Sequence, residues 1–363
     1  MKKFRETHLH AFLTHFERGN RPLDLELRNY FQAHKSLGSK DRRYLGDTIY
    51  SLIRWKGLLD FLGASSWVDR IDLLENLGRA DLSRIPIWIR EGVSDWFYRE
   101  LRKKFSEEQT VMICRVLNKQ APITIRANLL KGSRADLITK LRGICSIMET
   151  ERSRAGIQIL ERISLTALPE FKEGLFEIQD EGSQLIAELI CCRPGEKVLD
   201  YCSGSGGKSL AFAPYLEGKG QIYLYDIRPW ILLEAKKRMR RAGVQNVQFR
   251  LPQVKKSMDW VLVDVPCTGS GTVRRNPDRK WKMDEEEMKR LIEQQRLIFK
   301  EALEYVRPGG RVVYATCSLF ARENEEQIDY FLNNYPVRLE GEPLVVLPET
   351  KGADGFFAAV LLC

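Results

Sequence analysis

Two cysteines and an aspartate stand where two predicted strands end. Asp264 closes the apolar segment Trp260–Asp264 and Cys267 follows it, while Cys317 follows Arg311–Tyr314. Open α/β sheets place their sites at the carboxyl ends of strands, so the two cysteines could face one crevice. A thiolate there would be a nucleophile, and a carboxyl group would exchange protons or stabilise charge. Because a single cysteine is more often a small buried apolar residue, spacing alone leaves catalysis and burial both open.

A glycine-rich turn follows a third predicted strand, at Val198-Leu-Asp-Tyr-Cys-Ser-Gly-Ser-Gly-Gly-Lys-Ser209. Glycines let a ligand approach the backbone, and the start of the next helix attracts a carboxylate or phosphate. A P-loop requires glycine where Cys202 stands, and the dinucleotide fingerprint requires glycine where Ser209 stands. Asp226 ends the next strand, where an acidic side chain can accept hydrogen bonds from both ribose hydroxyls. The combination favours S-adenosylmethionine, although a purely structural turn beside an exposed aspartate also fits.

Positive charge is concentrated in the first half of the chain. Residues 1–170 hold 30 Lys and Arg against 21 Asp and Glu, whereas residues 171–363 hold 28 of each, so the net charge of +9 comes from the first half. A basic front half suits a polyanion such as nucleic acid. The basic run Arg274–Lys282, which contains Trp281, suits a nucleic-acid backbone and a stacked base. A solvated basic surface is the alternative interpretation of both features.

The spacing of apolar residues divides the chain into three parts. Helical spacing runs from Glu6 to Gly63, and a small α+β unit contains the alternating segment Pro122–Asn128. Beyond it, strands alternate with helices, which predicts an α/β fold with a parallel sheet flanked by helices. The predicted elements are strands Lys197–Tyr201, Gln221–Tyr225, Val247–Arg250, Trp260–Asp264 and Arg311–Tyr314, and helices from Lys208 and over Pro229–Ala242, Glu285–Val306 and Arg322–Asn334. We therefore predict domains at residues 1–94, 95–175 and 176–363.

Cysteine and histidine usage predicts neither a metal site nor disulfides. The eight cysteines show no paired zinc spacing, and all four histidines lie in the first tenth of the chain. The longest apolar stretches are far shorter than the roughly 20 residues that a membrane span requires, and the N-terminus has no secretory pattern. We expect a cytoplasmic monomer that binds no membrane and no metal.

At these motifs the chain resembles the Sun-type, RsmB-like family of RNA (cytosine-5)-methyltransferases. Residues 95–175, with Arg126 and Asn128, resemble the family's small RNA-binding α+β module. The first helices resemble its antitermination-factor-like RNA-binding domain in a shortened form. The matching motifs are Gln179–Ser183, the glycine-rich turn, Asp264-Val-Pro-Cys267, Arg274-Arg275, Pro277-Asp278, Ala315-Thr-Cys-Ser318 and Asp354–Phe357. The resemblance implies a Rossmann-like class I methyltransferase domain behind an α+β module and an N-terminal all-α domain.

The resemblance also implies a reaction and a set of site residues. The reaction is methylation of carbon 5 of a cytosine in RNA, with S-adenosylmethionine as cofactor and small-subunit ribosomal RNA as substrate, a step of rRNA processing. Cys317 would be the nucleophile, Cys267 would assist product release, and Asp264 would lie between cofactor and base. The residues implied to hold the cofactor are Cys202, Ser203, Gly204, Ser205, Gly206, Gly207, Lys208, Asp226 and Asp264.

The chain departs from the family pattern at two places near the implied cofactor. The family usually has proline where Ser205 stands, so the turn is expected to be looser. The family places an aspartate where this chain reads Leu251-Pro-Gln253. A non-catalytic RNA-binding or ribosome-assembly factor on a decayed methyltransferase fold therefore stays an alternative. So does a P-loop-like NTPase, in which the strand ending at Asp264 would be the Walker-B element.

Overall fold

The structure is a computed structural model that describes residues 2–17, 19, 21–79 and 81–363. The helices are α1 (Lys2–Glu17), α2 (Leu23–Ala33), α3 (Ser39–Phe61), α4 (Trp67–Asn76), α5 (Ile87–Arg90), α6 (Asp95–Arg102), α7 (Glu107–Leu117), α8 (Arg134–Leu141), α9 (Pro169–Lys172), α10 (Glu181–Glu188), α11 (Gly207–Phe212), α12 (Pro229–Ala242), α13 (Arg279–Lys282), α14 (Glu285–Ala302) and α15 (Glu325–Asn334). The strands are β1 (Ile123–Ala127), β2 (Ile147–Glu149), β3 (Gly156–Ile159), β4 (Phe176–Ile178), β5 (Lys197–Asp200), β6 (Gln221–Leu224), β7 (Val247–Gln248), β8 (Met258–Asp264), β9 (Val306–Thr316), β10 (Arg338–Leu339), β11 (Leu344–Val346) and β12 (Phe356–Leu362).

The chain divides into two compact units. Unit 1 comprises residues 1–120 and 272–287, and unit 2 comprises residues 121–271 and 288–363. Helices α6 and α7 therefore belong with the helices that precede them, although the predicted α+β domain began at residue 95. The division into three domains stays a proposal.

Unit 1 is built from amphipathic helices around one apolar core. Leu9 and Phe12 of α1 are 1% exposed and pack with Leu52 of α3. Trp281 packs against the same core and donates a 2.7 Å hydrogen bond from its indole nitrogen to the carbonyl oxygen of Ile53. Its ring lies so close to α3 that a Cβ on Gly57 would come within 2.6 Å of it. Segment 272–287 is therefore an internal part of unit 1.

This burial corrects the interpretation of the basic run Arg274–Lys282. Arg274 and Lys280 are each 1% exposed. The Arg54 guanidinium donates a 3.2 Å bond to the carbonyl oxygen of Arg274, and the Lys280 ammonium donates to the side-chain oxygen of Asn118. Burial, together with the nearby Arg54, holds the pKa of Lys280 well below its usual value. The prediction that this run faces a nucleic acid is wrong for Arg274, Lys280 and Trp281, because Arg274 and Lys280 are buried and the polar ends of Lys280 and Trp281 find partners inside the unit.

Unit 2 contains a four-stranded antiparallel sheet with the order β2-β3-β1-β4. Ile125, Ile157 and Phe176 on its strands are fully buried and share a core with Leu137 and Leu141 of α8. The alternating segment around residue 123 is therefore a strand, as its pattern predicted. It occupies an inner position of the sheet.

The second sheet of unit 2 has eight strands in the order β10-β12-β9-β8-β5-β6-β7, with β11 also paired to β12. Strands β5 to β9 are mutually parallel, which confirms the predicted α/β architecture. Strands β10 to β12 form an antiparallel edge that the sequence analysis did not identify. Two of these strands have only two or three residues, too few to establish a period of alternation.

The strand order places a topological switch point at β5. The chain moves outward from β5 to β6 and β7 on one side and to β8 and β9 on the other. Helices cover both faces of the sheet, and each face has its own apolar core. Val198 belongs to one core and its neighbour Leu199 to the other, because successive residues of β5 point to opposite faces. In open α/β sheets, ligands bind outside the carboxyl ends of the strands at such a point. No helix among the described residues is both long and apolar enough to cross a membrane.

Candidate active site

The two predicted site cysteines meet at adjoining strand ends in unit 2. Strands β8 and β9 run parallel with Asp264 opposite Ala315, and Cys267 and Cys317 follow within three residues of that register. Their sulfur atoms are 3.4 Å apart, and both residues are half-buried. The carbonyl oxygen of Cys317 also accepts a 3.0 Å hydrogen bond from the amide of Gly271. The juxtaposition that the spacing suggested is therefore present.

A buried glutamate that the sequence analysis did not identify holds the loop of Cys267. Glu323 is fully buried and accepts hydrogen bonds from the backbone amide of Thr268 at 2.9 Å and from its hydroxyl at 2.5 Å. The side-chain amide of Gln295 bridges Glu323 and the carbonyl oxygen of Pro266, at 3.0 Å to each. Charge-assisted hydrogen bonds of this kind fix a loop more firmly than neutral ones. Glu323 and Gln295 thus position the residues on both sides of Cys267.

Asn324 does the same for the loop of Cys317. Its side-chain oxygen accepts a 2.6 Å bond from the Thr316 hydroxyl, and its amide nitrogen donates a 2.9 Å bond to the carbonyl oxygen of Ser318. Thr316, Ser318 and Asn324 are all buried. Cys317 therefore lies between two anchored residues. The polar run Arg322-Glu-Asn-Glu-Glu326, soon after a core strand, is the sequence feature that could have indicated Glu323 and Asn324. Polar side chains that are buried next to a core strand need hydrogen-bond partners.

The two thiols do not ionise independently. The pKa of Cys267 is well above its usual value because its hydrogen bond to Cys317, its burial and the charge on Cys317 all favour the protonated form. The Lys208 ammonium binds a carboxylate oxygen of Asp264 at 2.6 Å. Burial lowers the pKa of Lys208, but the charges of Asp264, Asp200 and Cys317 outweigh burial and raise it. The site therefore combines a cationic Lys208 with a thiol pair in which the proton of Cys267 is held firmly.

The glycine-rich turn links β5 to α11. Gly206 precedes α11 with φ +77°, a conformation that favours glycine, and a Cβ there would come within 2.9 Å of Met239. Gly204 has φ +50°, and nothing lies within 4 Å of the position that a Cβ would take. One carboxylate oxygen of the buried Asp200 accepts a 2.6 Å bond from the Ser209 hydroxyl, and burial raises the Asp200 pKa to about 7. The backbone at Gly204 is therefore open to a ligand, while Gly206 packs inward.

Asp226 lies at the end of β6, as expected, and both of its oxygens have protein donors. Gly204 donates its amide at 2.9 Å, and Arg228 donates through its backbone amide at 3.0 Å and through its guanidinium at 2.9 and 3.0 Å. Burial would raise the pKa of Asp226, but the bonds from Arg228 lower it below its usual value. Ribose hydroxyls would compete with Arg228 for this carboxylate. Arg228 is a site residue that the sequence analysis did not identify.

Ser205 is braced by an arginine instead of being loose. Arg238 of α12 donates to the Ser205 hydroxyl at 2.5 Å and to its carbonyl oxygen at 3.1 Å. The same guanidinium binds Glu177 of β4 at 3.0 and 3.1 Å, and Arg241 binds the other oxygen of Glu177. The serine in place of proline is therefore compensated by a side-chain contact. The expectation of a looser turn is wrong for this reason.

Arg126 and Asn128 lie in the interior next to this brace. Arg126 is 3% exposed and donates a 2.7 Å bond to the side-chain oxygen of Gln179. The Asn128 amide donates at 2.8 Å to the carbonyl oxygens of Gly174 and Ala242, and so satisfies the end of α12. Burial lowers the pKa of Arg126 to about 10. Arg126 thus connects β1 to the segment between β4 and α10, and Asn128 connects the end of β1 to the end of α12.

A cavity of about 770 Å³ opens beside the glycine-rich turn and Asp226. This volume is within the size range of small-molecule sites. Leu251, Pro252 and Gln253 do not line it. The predicted cofactor residues that line it are Cys202, Ser203, Gly204, Ser205, Gly207, Lys208, Asp226 and Asp264, and Gly206 is the exception. Gln294, Leu297, Ile298 and Glu301 of α14 complete the wall.

These groups suit a charged nucleoside with an amino-acid tail. Asp226 is an acceptor for a ribose, the open backbone at Gly204 allows close approach, and Leu297 and Ile298 offer apolar surface to a base. In the described part of the chain, no group of three or more His, Cys, Asp or Glu side chains is arranged to hold a metal ion.

Comparison with known proteins agrees with this geometry. Residues 187–362 match the family described as 16S rRNA methyltransferase RsmB/F, and residues 93–166 match the ferredoxin-like domain of RsmF/B-like methyltransferases. The chain is 29% identical over 311 residues to the probable ribosomal RNA small subunit methyltransferase B of Synechocystis sp., covering 77% of this chain and 69% of that protein. It is 32% identical over 286 residues to ribosomal RNA small subunit methyltransferase B of Photorhabdus laumondii subsp. laumondii, covering 74% of this chain and 65% of that protein. The chain thus spans about two thirds of the length of these relatives.

A solved structure extends the comparison to the fold. The methyltransferase homolog protein from Pyrococcus horikoshii superimposes with a TM-score of 0.66 at 29% identity, covering 78% of this chain and 99% of that one. This likeness confirms the predicted fold class. The match to a methyltransferase family confirms S-adenosylmethionine as the cofactor, and the NTPase alternative loses its support. With one family match containing the cysteine pair and the cofactor turn, and the other containing three strands of the four-stranded sheet, the chain belongs to the RsmB/F family of S-adenosylmethionine-dependent methyltransferases.

Proposed function

We propose that this protein methylates carbon 5 of a cytosine in RNA and that Cys317 is the attacking nucleophile. The observation that carries the proposal is the pair of thiols 3.4 Å apart, just beyond the ends of β8 and β9, together with the ion pair that Lys208 of the cofactor turn makes with Asp264. The names of the relatives support small-subunit ribosomal RNA as the substrate.

The chemistry requires a thiolate because carbon 5 of cytosine is a weak nucleophile. The Cys317 sulfur adds to carbon 6 of the base, and the electron pair of the 5,6 double bond moves into the ring toward N3. S-Adenosylmethionine, when bound, supplies the methyl group that carbon 5 takes up. Loss of the carbon-5 proton then restores the double bond and expels the Cys317 thiolate. The target base must be unpaired or flipped, because a stacked helix hides both carbons.

Cys267 is suited to the second half of this sequence. Its pKa is high while Cys317 carries negative charge and accepts its hydrogen bond. Once the Cys317 sulfur is bonded to carbon 6, that charge is gone and the main cause of the raised pKa disappears. Cys267 then releases its proton to solvent more readily, and the resulting thiolate takes up the carbon-5 proton. Cys317 therefore acts as the nucleophile in the first step, and Cys267 acts as the base in the later one.

Asp264 and Lys208 are suited to the polar edge of the base. Asp264 is about one third exposed, so it can exchange its bond to Lys208 for one to the ring. In its protonated form the Asp264 carboxyl group donates a hydrogen bond to N3, which stabilises the negative charge that develops there during addition. Lys208 stays cationic and adds favourable electrostatics to the Cys317 thiolate.

Two cysteine substitutions test the assignment. Cys317→Ala is expected to abolish methyl transfer to small-subunit ribosomal RNA, while Cys267→Ala is expected to accumulate a denaturation-resistant protein–RNA adduct. Cys191→Ala is the matched control, since Cys191 is an exposed thiol outside the site, and should turn over normally. Calorimetry with S-adenosylmethionine confirms that each variant still binds its cofactor. Turnover by Cys317→Ala would refute the nucleophile. Normal RNA affinity of the intact protein with no binding of S-adenosylmethionine would favour a non-catalytic RNA-binding factor.

A further inference from the structure

One face of α12 combines exposed apolar and cationic side chains. Trp230, Leu233, Lys237 and Arg240 follow one another at spacings of three and four residues, so they share one side of the helix, and Lys236 lies next to them. Trp230 is 67% exposed and Leu233 is 65% exposed, high values for large apolar residues. We call these five residues the α12 face. An exposed apolar patch bordered by polar groups marks an interaction site.

Helix α12 carries more cationic side chains than its contacts inside unit 2 involve. Residues 229–242 contain five Lys and Arg and a single Glu. Arg238 and Arg241 point inward to Glu177, so their charge stabilises unit 2. Lys236, Lys237 and Arg240 are exposed, and Lys237 alone approaches Glu234, at 3.7 Å. The α12 face therefore presents cations to the solvent.

A shallow groove runs beside the same face. Its volume is about 260 Å³, and Lys236 and Arg240 form part of its wall. Val247 and Phe249 lie on the other side, at β7, which is the two-residue edge strand of the sheet. The groove thus joins an aromatic and aliphatic surface to two cations. Each nucleotide of a single strand has a flat base that suits the aromatic surface and a phosphate that suits the cations.

We propose that the α12 face and its groove bind a single-stranded segment of the RNA substrate outside the catalytic crevice. The inference rests on the proposed function, because it takes RNA as the substrate. Trp230 stacks on a base, while Lys236, Lys237 and Arg240 contact successive phosphates. Aromatic stacking combined with a cationic track is the general mode of single-strand binding without sequence readout. The surface is continuous with the site, since the neighbouring Ile227 is 80% exposed and lines the cofactor cavity.

Charge favours RNA over a protein partner. The cores of protein interfaces are depleted in lysine. The α12 face has two lysines and an arginine beside its two apolar residues, a composition unlike such a core. An anionic membrane surface also attracts such a helix, but interfacial helices bury a broad apolar stripe along their length. Here the apolar residues occupy the first half of the helix, and Ala235, Met239 and Ala242 of its other side are buried in unit 2.

The test measures binding of a fluorescein-labelled, unstructured RNA of about 20 nucleotides, longer than the sites of single-strand binders. Trp230→Ala is expected to weaken binding by about tenfold, the effect of losing one stacked base, and Trp230→Phe by less. Lys236→Gln with Arg240→Gln is expected to lower the slope of log affinity against log salt by about 1.4, about 0.7 for each phosphate contact. The control is Lys300→Gln with Arg338→Gln, which removes the same charge from two other exposed positions. Arg338 lies at the opposite edge of the sheet, and this variant should leave the slope nearly unchanged.

The outcomes separate this inference from the proposed function. If the intact protein binds RNA and the α12 variants bind equally well, the inference is overturned while the proposed function stands. If the intact protein binds no RNA, the proposed function fails and this inference with it. Loss of binding to vesicles containing phosphatidylserine, with RNA binding intact, would identify a membrane surface instead. All variants should keep the wild-type affinity for S-adenosylmethionine in calorimetry, which shows that unit 2 is folded.

Discussion

Glu177 is the residue whose replacement tests the structural account most directly. Its carboxylate is 4% exposed and accepts hydrogen bonds from Arg238 at 3.0 and 3.1 Å and from Arg241. Buried Arg126 also feels its charge, since Glu177 raises the pKa of Arg126 against the effect of burial. Glu177→Gln keeps the shape of the side chain but removes the one anion that balances three arginines.

The magnitude follows from the geometry. Breaking a buried ion pair by removing one partner costs about 3–5 kcal/mol. The glutamine carbonyl retains one hydrogen bond, worth about 1 kcal/mol. Arg238 and Arg241 keep 15% and 21% of their side-chain surface exposed, which allows partial rehydration. We therefore expect Glu177→Gln to lower the free energy of unfolding by about 2–3 kcal/mol.

The same substitution should also weaken cofactor binding, although Glu177 does not line the cavity. Arg238 joins Glu177 to both the hydroxyl and the carbonyl oxygen of Ser205, so a displaced Arg238 releases the turn. Losing a hydrogen bond of this charged type costs about 1.5–3 kcal/mol, which predicts at least a tenfold rise in the Kd of S-adenosylmethionine.

Urea unfolding and calorimetry measure the two effects, with Glu304→Gln as the matched control. Glu304 pairs with Lys255 at the surface, where both side chains are more than half exposed, so its replacement should change neither quantity. A Glu177→Gln protein with the unfolding midpoint and the Kd of the control would refute the idea that the four-stranded sheet braces the cofactor turn.

Two further substitutions probe packing and ionisation. Gly57→Ala places a Cβ 2.6 Å from the Trp281 ring and should destabilise unit 1 by about 1–3 kcal/mol in thermal unfolding, whereas Gly46→Ala on the same helix meets its first neighbour at 4.0 Å and should be neutral or stabilising. Asp200 has its pKa raised by burial from 3.8 to about 7, so the folded state holds a proton that the unfolded state releases, and the stability from this group falls as pH rises from about 4 to 7. Asp200→Asn should flatten that part of the pH profile, measured by urea unfolding between about pH 4 and pH 7, and parallel profiles would contradict the assignment.

The sequence by itself determined the local features of the site. The α/β alternation, helix Pro229–Ala242 and the strands that end near Asp200 and Asp264 all agree with the structure, because periodicity is a property of neighbouring residues. The glycine-rich turn and the aspartate at the end of β6 were equally readable, since glycine at positive φ and a polar residue after a core strand leave a signal in a few positions. The motif residues could thus be named without knowing the strand order.

The tertiary structure alone decided which of these residues meet and which are buried. Cys267 and Cys317 lie 50 positions apart, and only the pairing of β8 with β9 brings their sulfurs to 3.4 Å. Counting charges suggested a nucleic-acid surface at Arg274–Lys282, but the fold buries Arg274 and Lys280. The Lys280 ammonium donates to the side-chain oxygen of Asn118, and the carbonyl oxygen of Arg274 accepts from Arg54. Exposed cations next to exposed apolar side chains are found instead on α12. Whether a polar side chain is a surface group or an interior brace depends on partners far along the chain, and these become neighbours only when the sheets and helices have packed.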